Sequence, residues 1–363
     1  MGEQLYQKLA ELFNRIGYGS RYCPELEALL KYLFSEEEAR LTLNLSPFAP
    51  EPPAKVAERL GRDPERVAAV LNDMADKGLI YCSERGDEKW YKTIQLVPGI
   101  FELQFMKGEV TPRAKELARL FDAYFHAPRE ESDAGQDEGG ISFARVIPIE
   151  TTVSPRVDVF PYEEAGQYID KAETITASIC YCRHEQRLLG RGCDYPDDVC
   201  LQFGSFADFV RDRGFGREIT REEAREIMKR SAEAGLVATS SNTRDRIDFI
   251  CNCCTCCCGI LRNVKNSGAP VRSVASNYLL HINEEECIAC GDCVERCQMD
   301  AISLDDETAV VDTERCIGCG VCVLTCPGEA LSLMPRPDFQ EPPRSFRELI
   351  ERQAAEKMRT GKL

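Results

Sequence analysis

The sequence predicts a multidomain α+β protein, and three observations support this fold class. At 363 residues with 43 % apolar content, the chain is long enough to form two or three hydrophobic cores. Residues 1–126 are dominated by helical periodicity, whereas strand-like and cysteine-rich stretches follow residue 140. Residues 127–140 between them are polar, lack apolar periodicity and end in paired glycines, which is typical of a linker.

The N-terminal domain, residues 1–126, is predicted to begin with an amphipathic helix over Met1–Gly17. Its apolar face consists of Leu5, Tyr6, Leu9, Leu12, Phe13 and Ile16. Pro24–Phe34 and Pro112–His126 are predicted as further helices. The polar run Ser35–Arg40 and a proline-rich hinge that follows it carry no predicted element.

A compact unit is predicted between these helices. Ala54–Leu60 and Pro64–Lys77 read as two helices, and Leu79–Ser83 and Lys89–Ile94 alternate as the strands of a hairpin. Asp63 is placed to cap the second helix. The stripe of that helix expected to be buried is Val67, Val70, Leu71 and Met74. This order of elements resembles a winged helix, a fold that commonly reads DNA.

The charge of the second helix argues against DNA as a partner. The helix and its cap carry four acidic residues and two basic ones, namely Asp63, Glu65, Asp73, Asp76, Arg66 and Lys77. A helix in the major groove is expected to present basic and amide groups, and the net charge of −16 also opposes phosphate binding. The winged-helix-like region is therefore expected to dock protein or to be structural.

Two cysteine runs near the C-terminus share the spacing C-x2-C-x2-C-x3-C and lie 29 positions apart. Their members are Cys287, Cys290, Cys293, Cys297, Cys316, Cys319, Cys322 and Cys326. Three thiolates of such a loop reach three irons of one cubane, and the fourth reaches the other cubane. Zinc sites use separated C-x2-C pairs, and disulfides require an oxidising compartment, so the spacing predicts two 4Fe–4S clusters.

These runs resemble the bacterial two-cluster ferredoxin module, which gives a ferredoxin-like fold for residues 280–335. The resemblance implies that the first cluster is held by Cys287, Cys290, Cys293 and Cys326. It implies that the second is held by Cys316, Cys319, Cys322 and Cys297. The two halves also match at Ala301–Leu304 and Ala330–Leu333. Gln298 departs from the pattern, which usually has proline after this cysteine, and would change hydrogen bonding or solvent access near one cluster.

Residues 141–279 are predicted as a cysteine-rich α/β middle domain. Strands are expected at Ala144–Ile149, Arg156–Phe160 and Thr174–Ile179, and a helix at Tyr162–Ala172. Ten cysteines follow, at Cys180, Cys182, Cys193, Cys200, Cys251, Cys253, Cys254, Cys256, Cys257 and Cys258. Buried cysteines that merely fill a core do not cluster six in eight residues. These thiols are therefore interpreted as metal ligands.

One or two further iron–sulfur clusters are expected on these ten thiols, with zinc as the alternative. Four of them, Cys180, Cys182, Cys193 and Cys200, have the count for one cluster. The run from Cys251 to Cys258 would hold a second cluster or share ligands with the first. Adjacent cysteines of an extended chain point in opposite directions, so not all of this run can bind one cluster. Which of them are ligands stays open.

Three other residues are interpreted as structural. His184 follows the CxCR segment, and a hydrogen-bonding surface group is favoured over an imidazole ligand. Cys23 and Cys82 stand alone in the N-terminal domain and are expected to be packing residues.

Residues 336–363 are a proline-rich tail with a charged terminal helix over Phe346–Met358, for which a solvated tail is favoured over a docking element.

The CxCR segment, the NCCxCC run and the terminal cysteine runs together resemble a group of multi-cysteine iron–sulfur proteins from anaerobic microbes. This resemblance implies electron transfer. The sequence shows neither a dinucleotide fingerprint nor a P-loop, and no catalytic residue is predicted. The expectation is a cytoplasmic electron-transfer subunit without substrate chemistry of its own, working with a partner oxidoreductase or electron carrier.

Two alternatives come from other functional classes. The first is a redox-sensing transcription regulator that uses the winged helix, and the second is an enzyme subunit with a catalytic cluster in the cysteine-rich domain. No apolar stretch approaches the ~20 residues needed to span a bilayer, so no membrane span is expected. Oligomeric state, cluster potentials and the direction of electron flow are not predicted.

Overall fold

The computed structural model describes residues 2–17, 22–128, 141–154, 163–267, 274–337 and 340–360. The helices are α1 (Gly2–Ile16), α2 (Pro24–Leu33), α3 (Glu36–Thr42), α4 (Pro53–Leu60), α5 (Pro64–Asp76), α6 (Phe101–Phe105), α7 (Pro112–Phe125), α8 (Ala165–Lys171), α9 (Tyr181–Leu188), α10 (Gly204–Asp212), α11 (Arg221–Ala234), α12 (Gly259–Asn266), α13 (Asp292–Arg296) and α14 (Phe346–Thr360). The strands are β1 (Ile80–Arg85), β2 (Glu88–Thr93), β3 (Ala144–Val146), β4 (Ile175–Ser178), β5 (Cys200–Phe203), β6 (Arg217–Glu218), β7 (Val237–Ser241), β8 (Phe249–Cys253), β9 (Tyr278–Ile282), β10 (Ile302–Leu304), β11 (Ala309–Val311) and β12 (Leu331–Pro335). The predicted strand Arg156–Phe160 and most of the predicted linker, residues 129–140, lie outside the described residues.

The chain divides into two compact units. The first contains the described residues of Met1–Pro128 together with Ser178–Gly192 and Ser205–Arg217, and the second contains the rest. The two later segments of the first unit come from the predicted middle domain. They join this unit because their aromatic side chains enter its core. The ring of Tyr181 lies 5.9 Å from that of Phe101, and the ring of Phe209 lies 5.2 Å from that of Tyr81.

The predicted helix pair and hairpin are present in the first unit. Helix α4 ends at Gly61, which has a left-handed φ of 61°, and α5 begins with Pro64. The side chain of Asp63 caps α5 by accepting the N–H of Arg66 at 2.8 Å. Strands β1 and β2 pair antiparallel from Ile80–Thr93 to Arg85–Glu88. The winged-helix assignment itself stays a prediction.

The polar run Ser35–Arg40, for which no element was predicted, contains most of helix α3. A capping box starts the helix: the Ser35 hydroxyl accepts the N–H of Glu38, and the Glu38 carboxylate accepts the N–H of Ser35. Glu38 is buried and pairs with Lys77 at 3.0 Å. The sequence contains the S-x-x-E pattern of a capping box, but the short helix has too few apolar residues to show helical periodicity.

The second unit contains a six-stranded sheet in the order β3–β7–β8–β5–β4–β6. Strand β8 lies inside the sheet and pairs antiparallel with both β7 and β5. Cys251 stands opposite Thr239, and Cys253 stands opposite Val237. The sheet therefore fixes the backbone that carries the first cysteines of the dense run. Neither β7 nor β8 was predicted.

The C-terminal cysteine runs lie between two antiparallel strand pairs, β9–β12 and β10–β11. The order β9, first run, β10 repeats as β11, second run, β12. The matched segments Ala301–Leu304 and Ala330–Leu333 become β10 and the start of β12, respectively. Each half of the repeat thus begins and ends in a strand, and the two halves pair with each other.

The terminal helix α14 packs on the second unit, although a solvated tail was favoured. Leu349 is completely buried, and the ring of Phe346 lies 6.2 Å from that of Phe143. Gln353 donates a side-chain hydrogen bond to the carbonyl of Ile141 at 2.7 Å. These few contacts suffice to dock the helix, because residues three or four positions apart lie on the same helix face. Within the described part of the chain, no helix is long and apolar enough to cross a membrane.

The predicted stripe of α5 provides a test of the first unit's packing. Leu71 is 0 % exposed, whereas Val70 is half-buried at the edge of the same core. Leu71→Ala should lower the free energy of unfolding by about 2–5 kcal/mol, because it leaves a cavity in a closed core. Val70→Ala should cost clearly less. Denaturant unfolding followed by circular dichroism measures both, and equal losses would show that the stripe is assigned wrongly.

Candidate metal centres

The two C-terminal cysteine runs have the same backbone shape. Residues with positive φ occur at three matched positions, each separated by the same offset as the cysteines. These pairs are Ala289 (52°) with Gly318 (58°), Gly291 (86°) with Gly320 (84°), and Asp300 (51°) with Glu329 (52°). Left-handed residues are uncommon outside glycine, so their recurrence indicates two copies of one loop. Such turns curl each loop so that its thiols converge.

The thiols of the first group influence one another. Burial raises the pKa of Cys293, and the charges of Cys290, Cys287 and Cys326 raise it further. Cys326 belongs to the second run by sequence, yet it is an electrostatic neighbour of the first. These four residues are the set that the ferredoxin resemblance assigns to one cluster.

The second group behaves in the same way. Burial raises the pKa of Cys319 to about 12, and the charges of Cys297 and Cys316 add to the effect. Burial also raises the pKa of Cys322, with further increases from Cys319, Cys316 and Cys297 and the smallest from Cys293 of the first group. The fourth cysteine of the first run, Cys297, thus lies among the thiols of the second run.

The second group lines a cavity. Its walls contain Cys297, Cys316, Cys319 and Cys322 together with Leu280, Met299, Ile302, Ile317 and Leu333. Apart from these four thiols and Gln298, the wall is apolar, and this is the donor set and the environment that an iron–sulfur cluster requires. The residues present therefore fit a cluster bound at this cavity.

Backbone amides point at two of the sulfurs. The N–H of Ala309 donates to Cys287 Sγ at 3.4 Å, and the N–H of Ala301 donates to Cys297 Sγ at 3.3 Å. The neighbouring Thr308 side chain and the backbone amides of Ala289 and Ala309 lower the pKa of Cys287. Such bonds stabilise negative charge on a ligand sulfur and tune the potential of a cluster.

The two groups differ in exposure. Cys290 is exposed and Ile288 beside it is 66 % exposed, whereas Cys316 and Cys322 are buried. Three exposed acidic side chains, Glu284, Glu285 and Glu286, directly precede the first group. The first group thus has an edge at the protein surface with an apolar centre and an acidic border.

Gln298, the departure noted after Cys297, has a defined role in the second unit. Its side-chain oxygen accepts the N–H of Thr255 at 2.8 Å and the Thr255 hydroxyl at 3.1 Å. Its amide nitrogen donates to the carbonyl of Gly235. Proline could make none of these bonds. Thr255 lies between Cys254 and Cys256, so Gln298 ties the ferredoxin-like region to the dense cysteine run.

Four thiols of the middle region converge in the second unit. The Sγ atoms of Cys193, Cys254, Cys256 and Cys257 all lie within 4.8 Å of one another. Cys193 Sγ is 3.9 Å from Cys254 Sγ and 3.5 Å from Cys257 Sγ. We call these residues the four-thiol set. It joins one cysteine of the loop before β5 to three of the dense run, a combination that sequence reasoning did not identify.

The remaining middle cysteines are placed elsewhere. Cys180 is buried at the start of α9, and Cys182 packs against the helical core, so both belong to the first unit. Cys200 is buried in β5 of the second unit. The group Cys180, Cys182, Cys193 and Cys200 is thus divided between the units. Cys251, Cys253 and Cys258 are all buried. Interaction with the other two thiols raises the pKa of Cys253, so the three lie near one another.

Three residues interpreted as structural make local contacts. His184 is buried and not on the surface as interpreted, and its Nε2 lies 2.9 Å from the carbonyl oxygen of Glu109. Cys23 Sγ accepts the N–H of Leu26 at the start of α2 at 3.4 Å. Cys82 is buried, and its sulfur accepts a hydrogen bond from Arg213 at 3.2 Å. None of these contacts requires a metal.

The close approach at Gly318 provides a test of the second loop. A Cβ at this position would lie 2.2 Å from the carbonyl oxygen of Tyr278, in a left-handed conformation. Gly318→Ala should therefore cost about 2–4 kcal/mol of stability, by combining conformational strain with a backbone clash. Gly86→Ala is the matched control, since Gly86 has a φ of 61° but no atom within 4 Å of the added carbon.

Gly86→Ala should cost only about 1–2 kcal/mol, the conformational part alone. Denaturant unfolding compares the two variants, with iron content as a second readout for the loop. If the two variants lost the same stability, the tight packing of the second cysteine loop against β9 would be contradicted.

Comparison with known proteins identifies the C-terminal region. Residues 280–333 match the family model described as a 4Fe-4S dicluster domain, and this match includes both cysteine runs. No curated protein and no solved structure matches the chain. The chain therefore carries a 4Fe–4S dicluster domain near its C-terminus, and this domain supports iron–sulfur cofactors and a redox or electron-transfer role.

Proposed function

We propose that this chain is an iron–sulfur electron-transfer protein that relays single electrons to or from a partner oxidoreductase through two 4Fe–4S clusters. The observation that carries the proposal is the duplicated loop at residues 287–326, with two groups of four neighbouring thiols and a match to the dicluster family. A cubane supplies one-electron chemistry when it is bound. The surrounding residues set its potential through burial and N–H···S hydrogen bonds.

Exposure suggests where electrons enter or leave. The first group, which includes exposed Cys290, is close to the surface, whereas the second group is enclosed by apolar side chains. Beside Cys290, the exposed side chain of Ile288 offers an apolar contact to a partner. The exposed Glu284, Glu285 and Glu286 give this edge a negative charge. With a net charge of −16, the chain would be guided toward a basic partner surface.

The proposal places the chain in the cytoplasm, because a reducing compartment keeps cysteines available as thiolate ligands. DNA reading is not favoured, since basic side chains of the α5 region are already paired with acids. Arg66 pairs with Glu37 at 3.4 Å, and Lys77 pairs with Glu38 at 3.0 Å and with Asp73 at 2.5 Å.

Iron and acid-labile sulfide, measured on protein purified without oxygen, test the cofactor part of the proposal. Residues 287–326 should account for about eight iron and eight sulfide per chain. Cys290→Ser should remove about four of each, because it deletes one thiolate of the first group. Cys23→Ser is the control, since serine can cap α2 in place of the thiol and iron should be unchanged. Absence of sulfide from the wild-type chain would refute the proposal.

Electron transfer to a basic acceptor tests the docking edge. The chain is reduced chemically, and the reduction of cytochrome c is followed spectrophotometrically. Glu285→Lys with Glu286→Lys should slow this reaction roughly two- to tenfold at low ionic strength, because steering is lost. The difference should shrink in high salt.

A variant with the same change in net charge provides the control. Glu58→Lys with Glu65→Lys alters exposed residues of α4 and α5 in the first unit. This variant should react nearly as fast as the wild type. If both double variants were equally slow, net charge alone would explain the rate, and the docking edge would be wrong.

A further inference from the structure

The four-thiol set has the dimensions of a site for one metal ion. Four sulfurs around a tetrahedral ion with a Zn–S distance of about 2.3 Å lie about 3.8 Å apart. The sulfur of Cys193 lies 3.9 Å from that of Cys254 and 3.5 Å from that of Cys257. With Cys256, all four sulfurs lie within 4.8 Å of one another. These separations are of the size that such a tetrahedron requires.

These distances do not suit a cubane. In a 4Fe–4S cluster, each thiolate binds a different iron, so the four sulfurs surround a body of eight atoms and must stand further apart than around one ion. Four sulfurs that all lie within 4.8 Å of one another leave no room for that body between them. The further iron–sulfur cluster that the sequence predicts for this region therefore does not fit the four-thiol set.

The dense run separates into two sets, so that two of its three pairs of adjacent cysteines do not have to bind the same metal. Cys251 and Cys253 are two residues apart on β8 and lie on one face of the strand, where Cys258 joins them. Cys254 follows the strand and turns to the four-thiol set. The chain closes a turn here, because the N–H of Cys258 donates to the carbonyl of Cys254 at 3.1 Å. The neighbours Cys253–Cys254 and Cys257–Cys258 are thus divided between the two sets, whereas Cys256 and Cys257 both belong to the four-thiol set, where the chain turns and is not extended.

Side-chain hydrogen bonds hold this turn in place. Thr255 inside the turn donates twice to Gln298, which is anchored in turn on Gly235. Supporting hydrogen bonds of this kind orient metal ligands. The sulfurs of the set come from two segments, the loop at Cys193 and the turn after β8. An ion bound by all four thiolates would lock the two segments together and keep no open position for a substrate.

We propose that Cys193, Cys254, Cys256 and Cys257 bind one Zn²⁺ ion in a closed tetrahedral site that staples the Cys193 loop to the turn after β8. Two of these thiols, Cys254 and Cys257, are buried, and Cys193 is partly buried. Soft thiolate donors in a tetrahedral arrangement are typical of zinc. The site is structural and carries no electrons, so the electron path stays within the ferredoxin-like region.

Zinc, iron and sulfide are measured on the same sample of full-length protein, purified without oxygen. The wild type should contain one Zn²⁺ per chain in addition to the iron and sulfide of the C-terminal clusters. Cys256→Ser changes the most exposed ligand and should abolish zinc retention against a chelator, while iron and sulfide stay unchanged. Cys290→Ser should show the converse, with zinc kept and iron lost, so that failure of the electron-transfer proposal and failure of the zinc proposal are distinguishable.

Cys258→Ser is the matched control, because this residue neighbours Cys257 but belongs to the other set, and serine is a favourable start for α12. It should keep its zinc. Growth with Co²⁺ adds a measurement on the wild-type chain, which should show the intense absorption of tetrahedral thiolate cobalt. Extra iron and sulfide that disappear in Cys256→Ser, a single iron without sulfide, or zinc loss in Cys258→Ser would each overturn the proposal.

Discussion

Contact between buried thiols is the interaction on which the second unit depends. A thiol surrounded by other thiols and removed from water resists ionisation, as the raised pKa values of Cys253 and Cys319 show. Coordination to a metal reverses this preference, since the bound sulfur is a thiolate. Binding of the proposed metals would therefore be linked to folding of this unit, because a thiol that becomes a ligand is stabilised when the metal takes its proton's place.

The two units differ in what their interiors contain. The first has a continuous core of aromatic and aliphatic side chains, in which Phe101 contacts Phe105, Phe121 and Phe125. In the second unit, buried thiols lie among buried apolar side chains such as Leu280, Ile302 and Leu333. Metal binding by these thiols would therefore stabilise the same loops that apolar burial stabilises.

Local spacing made some features predictable and distance along the chain hid others. The C-terminal runs could be recognised because one short loop carries most of the thiols of each group, and the family match confirms the dicluster domain. The helix pair around Asp63 was equally clear, since caps and stops are local signals. By contrast, Cys193 lies 61 positions from Cys254 and meets it only because the sheet and the turn bring them together. Helix α14 was misjudged for a related reason, because the burial of Leu349 depends on a distant surface.

Gln298 shows how the parts of the second unit influence one another. It follows Cys297, a thiol of the second group. Its side chain is hydrogen-bonded to Thr255, which lies in the turn between Cys254 and Cys256 of the four-thiol set. A shift of that turn is thus transmitted through two hydrogen bonds to the residue beside a proposed cluster ligand. Hydrogen bonding and solvent access near the ligands set cluster potentials. A redox-inactive ion in the four-thiol set would therefore still affect electron transfer, by holding the surroundings of Cys297 in one arrangement.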